Sequence, residues 1–330
     1  KSIECSVPFD SLEAVSTTAN PFIVDKKKRP LVLGHRGVPL LHQENTMAGF
    51  RRCLDLGVDG IELDVMMTKD GQIVVFHDDT VDRLTGAQGC ILDMTWDQVS
   101  KLRVRRQLVM GKDGKGGDVV MTYEQEERIP LLAEVLDEFA GKLAINVELK
   151  PAVPSWRQRR CGAAAAAVIR EAGAETSLIV TSFDFFKLRA LEAEHSVIHS
   201  GFAYDDDTVN YLPSWLAKIP EIGSEIGRRD DLNRNAETVV NALLEANVVG
   251  RWIGSSVVAG EHTLIEADTI EKFHDRDMAI GSYTFFPIEM TGVRHELSDE
   301  QQLGRLRTIA AAGVDWIETD DPVRVMELLS

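Results

Sequence analysis

Between Gly60 and Asp79 the chain reads GIELDVMMTKDGQIVVFHDD, two apolar runs with acidic groups and a histidine set into them. If Ile61–Val65 is a strand, its alternation puts Ile61, Leu63 and Val65 on one face and Glu62 and Asp64 on the other. Two carboxylates side by side on a buried strand cost free energy unless a proton or a cation lies between them. Lys69-Asp70-Gly71 reads as a turn, and the second run, Ile73–Phe76, ends at His77-Asp78. A later apolar stretch, Leu143–Leu149, carries Asn146, Glu148 and Lys150 on one face. Glu62, Asp64 and Glu148 together form a hard oxygen donor set that suits Mg2+ or Ca2+ better than Zn2+.

His35 and His77 both follow apolar runs and flank acidic groups, and such a pair suits acid–base work near neutral pH. Arg36 and Lys150 add positive charge at the same place. In an acidic protein, cations beside a metal point to an anionic substrate, phosphate first; a salt bridge from Lys150 to Glu148 is compatible with that role. Glu44 and Asn45 are expected to orient the loop after His35, with simple helix capping as the alternative for Asn45. His42, His195, His199, His262, His274 and His295 have no such neighbours in the sequence and read as surface or structural residues.

These groups need a scaffold. Leu31-Val32-Leu33 reads as a first strand opening into Gly34-His35-Arg36-Gly37, and Asn45 or Thr46 caps a helix through Leu56. Further strands begin near residues 61, 143, 178, 197, 252, 278 and 314, with helices expected at about 131–139, 162–172, 185–195, 237–246, 265–276 and 298–312. Asp321-Pro322 supplies a cap and first-turn proline for a terminal helix. Ile73–Phe76 belongs to an excursion after the second strand, which also holds a Gly-rich stretch, 111–117, read as a mobile loop. That stretch lacks Walker spacing and leads into no Lys-Ser/Thr, so it is not a P-loop. Eight strands alternating with helices, and no GxGxxG after the first strand, favour an α/β fold closed as a (β/α)8 barrel. Residues 205–250 form an insertion between strands five and six. Residues 1–30 are expected to be an N-terminal arm and 31–330 a single barrel domain.

The chain has 330 residues, is 44% hydrophobic and carries a net charge of -17 with a pI near 4.9. No basic stripe is present to neutralise phosphates, so a nucleic-acid partner is not expected. Cys5, Cys53, Cys90 and Cys161 form no CxxC pair and indicate neither a zinc site nor a disulfide framework. No stretch has the length of a transmembrane helix. A cytoplasmic location is expected, or a periplasmic or secreted one if a leader was removed before Lys1. The oligomeric state is not legible.

His35-Arg36-Gly37, Glu44-Asn45-Thr46, Glu62-x-Asp64, Thr68-Lys69-Asp70-Gly71, His77-Asp78, Glu148-x-Lys150 and Thr319-Asp320-x-Pro322, in this order, resemble the glycerophosphodiester phosphodiesterase family. The resemblance implies a TIM barrel with one divalent metal that hydrolyses glycerophosphodiesters to glycerol 3-phosphate and an alcohol. By position it implies Glu62, Asp64 and Glu148 as metal ligands, His35 and His77 as the catalytic pair, and Arg36 and Lys150 as phosphate binders. His35 is expected as the base and His77 as the acid. The chain departs from the family pattern at Gln43, at Tyr283-Thr284-Phe285-Phe286 and at Glu318, which bears on the pocket for the organic ends; Tyr283 is expected to support the site. A sphingomyelinase D-like phospholipase on the same barrel, which would need an apolar rim, and a non-catalytic phosphodiester-binding barrel are the alternatives.

Overall fold

A computed structural model of the chain describes residues 19–23, 28–113, 115–205, 207–208, 248–288 and 297–330. In chain order the strands are β1 (Leu31–Gly34), β2 (Gly60–Met67), β3 (Ile73–Val75), β4 (Arg103–Val104), β5 (Gln107–Lys112), β6 (Asp118–Thr122), β7 (Glu127–Arg128), β8 (Ala144–Leu149), β9 (Leu178–Ser182), β10 (His199–Tyr204), β11 (Val257–Glu261), β12 (Ala279–Phe285) and β13 (Trp316–Thr319). Parallel pairing runs β1–β2–β8–β9–β10–β11–β12–β13 and returns to β1, so eight strands close into a barrel. Helices connect them on the outside, as the alternation of the sequence predicts. The expected helix at 237–246 lies outside the described residues.

The period-two pattern of β2 is realised as expected. Ile61, Leu63 and Val65 pack with Phe50, Leu136, Phe139, Ile145 and Val147 between strands and helices, while Glu62 and Asp64 take the opposite face. Complete burial of each large apolar side chain contributes roughly 1.5–3 kcal/mol. Inside the barrel, Leu33, Ile179, Ala203, Val257 and Ala279 meet Trp316. Gly281 makes this possible, because a Cβ there would lie 1.8 Å from the Trp316 ring. Phe22 is fully buried, edge-on to Trp316 with centroids 5.3 Å apart. Part of the expected N-terminal arm therefore packs into the barrel.

Two local expectations change. Trp252-Ile253-Gly254 is not the sixth strand: Val248–Ile253 is helical, Gly254 takes the left-handed conformation (φ 89°) that ends a helix, and the strand is β11. Trp252 instead packs its ring near Phe185 and Phe186. The Gly-rich 111–117 stretch is the end of the β5–β6 hairpin, where Asp113 Oδ1 accepts from the backbone N–H of Lys115 and Gly117. Of the two caps expected for the first helix, Thr46 is the one used, accepting from the Gly49 N–H. Among the described residues no helix is long and apolar enough to cross a membrane.

Glu192, on the helix Phe185–Glu194, is 7% exposed, and burial pushes its carboxyl from 4.5 up to about 8. Its folded pKa is raised, so its contribution is full below about 4.5 and is lost as pH rises through about 8. Glu192→Gln should therefore gain about 2–4 kcal/mol on wild type between acid and alkaline pH. Urea unfolding across that range checks this; parallel curves for the two proteins would contradict it.

Candidate active site

The carboxyl ends of β1, β2, β8 and β13 converge on a cavity of about 410 Å³ whose lining includes His35, Arg36, Glu44, His77, Glu148, Lys150, Tyr283, Glu318 and Asp320. Parallel register sets Asp64 beside Glu148 and Glu62 beside Asn146. Glu62, Asp64 and Glu148 each offer an oxygen within 4.8 Å of the others. Glu62 Oε2 accepts from the Arg36 N–H at 3.0 Å, while its buried Oε1 has no hydrogen-bond partner. Burial and the charges of Asp64, Glu318 and Glu148 push the Glu62 carboxyl well above its usual range. Three hard oxygen donors with an orphaned buried oxygen fit a divalent cation.

Asn45 accounts for the aim of Asp64. Its Nδ2 donates to Asp64 Oδ2 at 2.8 Å and its Oδ1 accepts from the Asp64 N–H at 3.1 Å. Asn45 does this from the left-handed region (φ 57°), which asparagine tolerates better than most residues. Burial alone would raise the Asp64 carboxyl, but His77, Arg36 and Lys150 hold it well below the ordinary range. Arg36 is also left-handed (φ 57°), a conformation that costs about 1–3 kcal/mol and aims its N–H at Glu62. Its guanidinium lies 3.2 Å from both Glu44 and Asp64, so it clamps these carboxylates as well as lining the cavity.

Lys150 Nζ is 2.6 Å from Glu148 and 3.6 Å from Asp64. The loop that follows it is anchored by Lys187, fully buried, which donates to the Pro151 carbonyl at 2.7 Å and to Asp184 at 2.6 Å. Removing one partner of such a buried pair costs about 3–5 kcal/mol.

Each histidine is backed by a carboxylate on Nδ1: His35 by Asp320 at 2.7 Å and His77 by Asp78 at 2.8 Å. His35 Nε2 stands 4.0 Å from Glu62 Oε2. For His77, burial and the Arg36 charge lower the pKa, against the pull of Asp64 and Asp78. Tyr283 reaches the cavity wall, and its buried hydroxyl donates to the Tyr204 carbonyl at 2.7 Å.

All ten expected site residues thus lie in or against one cavity, with Asn45 and the β2 carboxylates beneath it. The sequence did not reveal Arg83, which lies in the short helix Asp82–Thr85 of the excursion. Its guanidinium donates twice to Glu44 (2.7 and 2.8 Å) and twice to Asp78 (2.6 and 2.9 Å). Glu44, His77 and Asp78 are a second group able to surround a cation, but Arg83 already occupies both carboxylates, so the β2–β8 group is the better fit. Glu318 was visible only as an odd residue: it accepts from Asn146 and Trp316 inside the barrel, and burial lifts its carboxyl to about 7. His262, expected to be a surface or structural residue, lines the cavity with its ring stacked 4.5 Å from Phe285.

The model of the glycerophosphoryl diester phosphodiesterase family matches residues 35–324, a span that holds every residue just described. The chain belongs to this family. A glycerophosphodiester phosphodiesterase of Caldanaerobacter subterraneus is 35% identical over 180 residues, covering 53% of this chain and 67% of that protein. Two solved structures share the fold. One is an Oleispira antarctica phosphodiesterase in complex with the product sn-glycerol-3-phosphate (18% identity, TM-score 0.60, 91% and 96% coverage of the two chains). The other is the Thermotoga maritima glycerophosphodiester phosphodiesterase (22%, 0.56, 91% and 98%).

In this family member Arg83 is expected to position Asp78, and through it His77. Arg83→Met should lower kcat about tenfold or more with little change in KM. Arg83→Lys should rescue little, because an ammonium cannot reproduce the two forks. A loss confined to KM, read from initial rates on a glycerophosphodiester, would count against this role.

Proposed function

We propose that the chain hydrolyses glycerophosphodiesters to glycerol 3-phosphate and an alcohol, with one divalent metal, Mg2+ or Ca2+, held by Glu62, Asp64 and Glu148. The observation that carries this reading is the cluster of three carboxylates beside two carboxylate-backed histidines in one cavity. A bound cation would supply charge neutralisation at the phosphate oxygens. Arg36 and Lys150 hold the remaining phosphate oxygens. His35, 4.0 Å from Glu62, takes the proton of the nucleophile, and Asp320 stabilises the resulting imidazolium. His77 gives a proton to the departing alkoxide, which is too basic to leave without one. Family membership supports the reaction class, and the product bound in the Oleispira protein supports the same product here.

The nucleophile is the glycerol hydroxyl next to the phosphoester, whose attack within one molecule has an effective concentration of order 10⁵ M or more when well oriented. The immediate product is then a cyclic glycerol phosphate, later opened by water with the histidine roles reversed. A substrate analogue with hydrogen in place of that hydroxyl should bind yet turn over far more slowly. Equal turnover of analogue and parent diester would make water the direct nucleophile.

A further inference from the structure

Eight large apolar side chains stand exposed among the described residues, and four of them, Leu40, Leu41, Val153 and Trp156, lie on two loops that border the cavity. Leu40 and Leu41 follow Pro39, and Val153 follows Ala152; Pro39 and Ala152 both line the cavity. Val109 and Val120 pair across the β5–β6 hairpin on the face opposite the cavity-lining Met110 and are not part of this group. The Tyr123 hydroxyl donates to the Pro39 carbonyl at 2.7 Å, which ties the base of this hairpin to the loop after β1.

Single exposed apolar residues are ordinary, but a group of them around one opening marks an interaction surface. The charge beside this rim narrows the partner. Arg159 stacks its guanidinium 4.1 Å from the Trp156 ring centroid, Arg157 is exposed on the same loop, and Arg160 is exposed at the start of the helix that follows. In a chain of net charge -17 this local run of arginines is complementary to anionic headgroups. An amphipathic tryptophan, branched apolar tips and arginines together suit the lipid–water boundary.

We propose that the rim formed by Leu40, Leu41, Val153 and Trp156 is a lipid-docking surface that seats the cavity mouth on an anionic phospholipid surface. The consequence for catalysis, delivery of diesters held in a lipid aggregate, rests on the phosphodiesterase reading; the docking itself does not. The test is cosedimentation of the full chain with phosphatidylcholine vesicles, with and without phosphatidylglycerol, alongside hydrolysis of a water-soluble glycerophosphodiester. Wild type should bind the anionic vesicles, and added salt should weaken the binding. Val153→Ser with Trp156→Ser, and separately Leu40→Ser with Leu41→Ser, should each weaken it roughly tenfold. Leu54→Ser, on an exposed position away from the mouth, should not. Hydrolysis of the soluble diester should be unchanged in all of these variants. Wild type that fails to sediment, rim variants that bind as wild type, or a dimer in solution that the rim variants dissociate would each overturn the docking surface. Vesicle binding without hydrolysis of any diester would leave docking standing and overturn the activity instead.

Discussion

His77→Ala is expected to lower turnover of an unactivated alkyl diester by roughly 100-fold or more while the fold survives. The fold should survive because Asp78 keeps its two bonds to Arg83 when the imidazole is gone. A substrate whose leaving group is nitrophenolate needs no proton, so the variant should recover most of its rate there. His35→Ala should lose a similar factor with both substrates, because a base is needed whichever group departs. His77 is held below the ordinary imidazole range by burial and Arg36. An acid with a lowered pKa loses its proton as pH rises, so wild-type turnover of the alkyl diester should fall towards neutral and alkaline pH. The two variants, two substrates and a pH series are measured as kcat. If His77→Ala shows no preference for the activated ester, His77 is not the acid.

Chelation should abolish activity and lower the melting temperature, and Mg2+ or Ca2+ should restore both. A cation at 100 times its dissociation constant stabilises the fold by about 2.7 kcal/mol. Without it, burial and three neighbouring carboxylates push the Glu62 carboxyl well above its usual range and disfavour its charge. Glu62→Gln should therefore keep the metal-free melting temperature while losing the metal-dependent rise. That thermal measurement is independent of turnover. Full activity in excess chelator, or a metal-dependent rise that persists in Glu62→Gln, would remove the cation from this position.

How much of this could be read in the chain follows from what each residue's neighbours are. Glu62, Asp64 and Glu148 were legible because charge on one face of an apolar strand has few cheap explanations, and β2 and β8 lie in register. The barrel was legible because strand and helix alternate. Arg83 was not, since its partners Glu44 and Asp78 are brought to it only when the excursion folds back over the first loop. His262 was not, because nothing local says that β11 and β12 aim at the same opening. The sixth strand was misplaced because Trp252-Ile253 is as apolar as a strand, and only Gly254 marks a helix end there. The apolar rim is spread over two loops more than a hundred residues apart, so no window of sequence contains it.

The seam between β1 and β13 has a consequence for biosynthesis. The three carboxylates are present once residue 148 has been made, but His35 is held by bonds from the far end of the chain. Its N–H donates to the Thr319 carbonyl at 2.9 Å and its Nδ1 pairs with Asp320. A nascent chain emerging from the ribosome therefore carries all three carboxylates long before its first histidine has an orienting partner, and the site is complete only when the barrel is sewn shut.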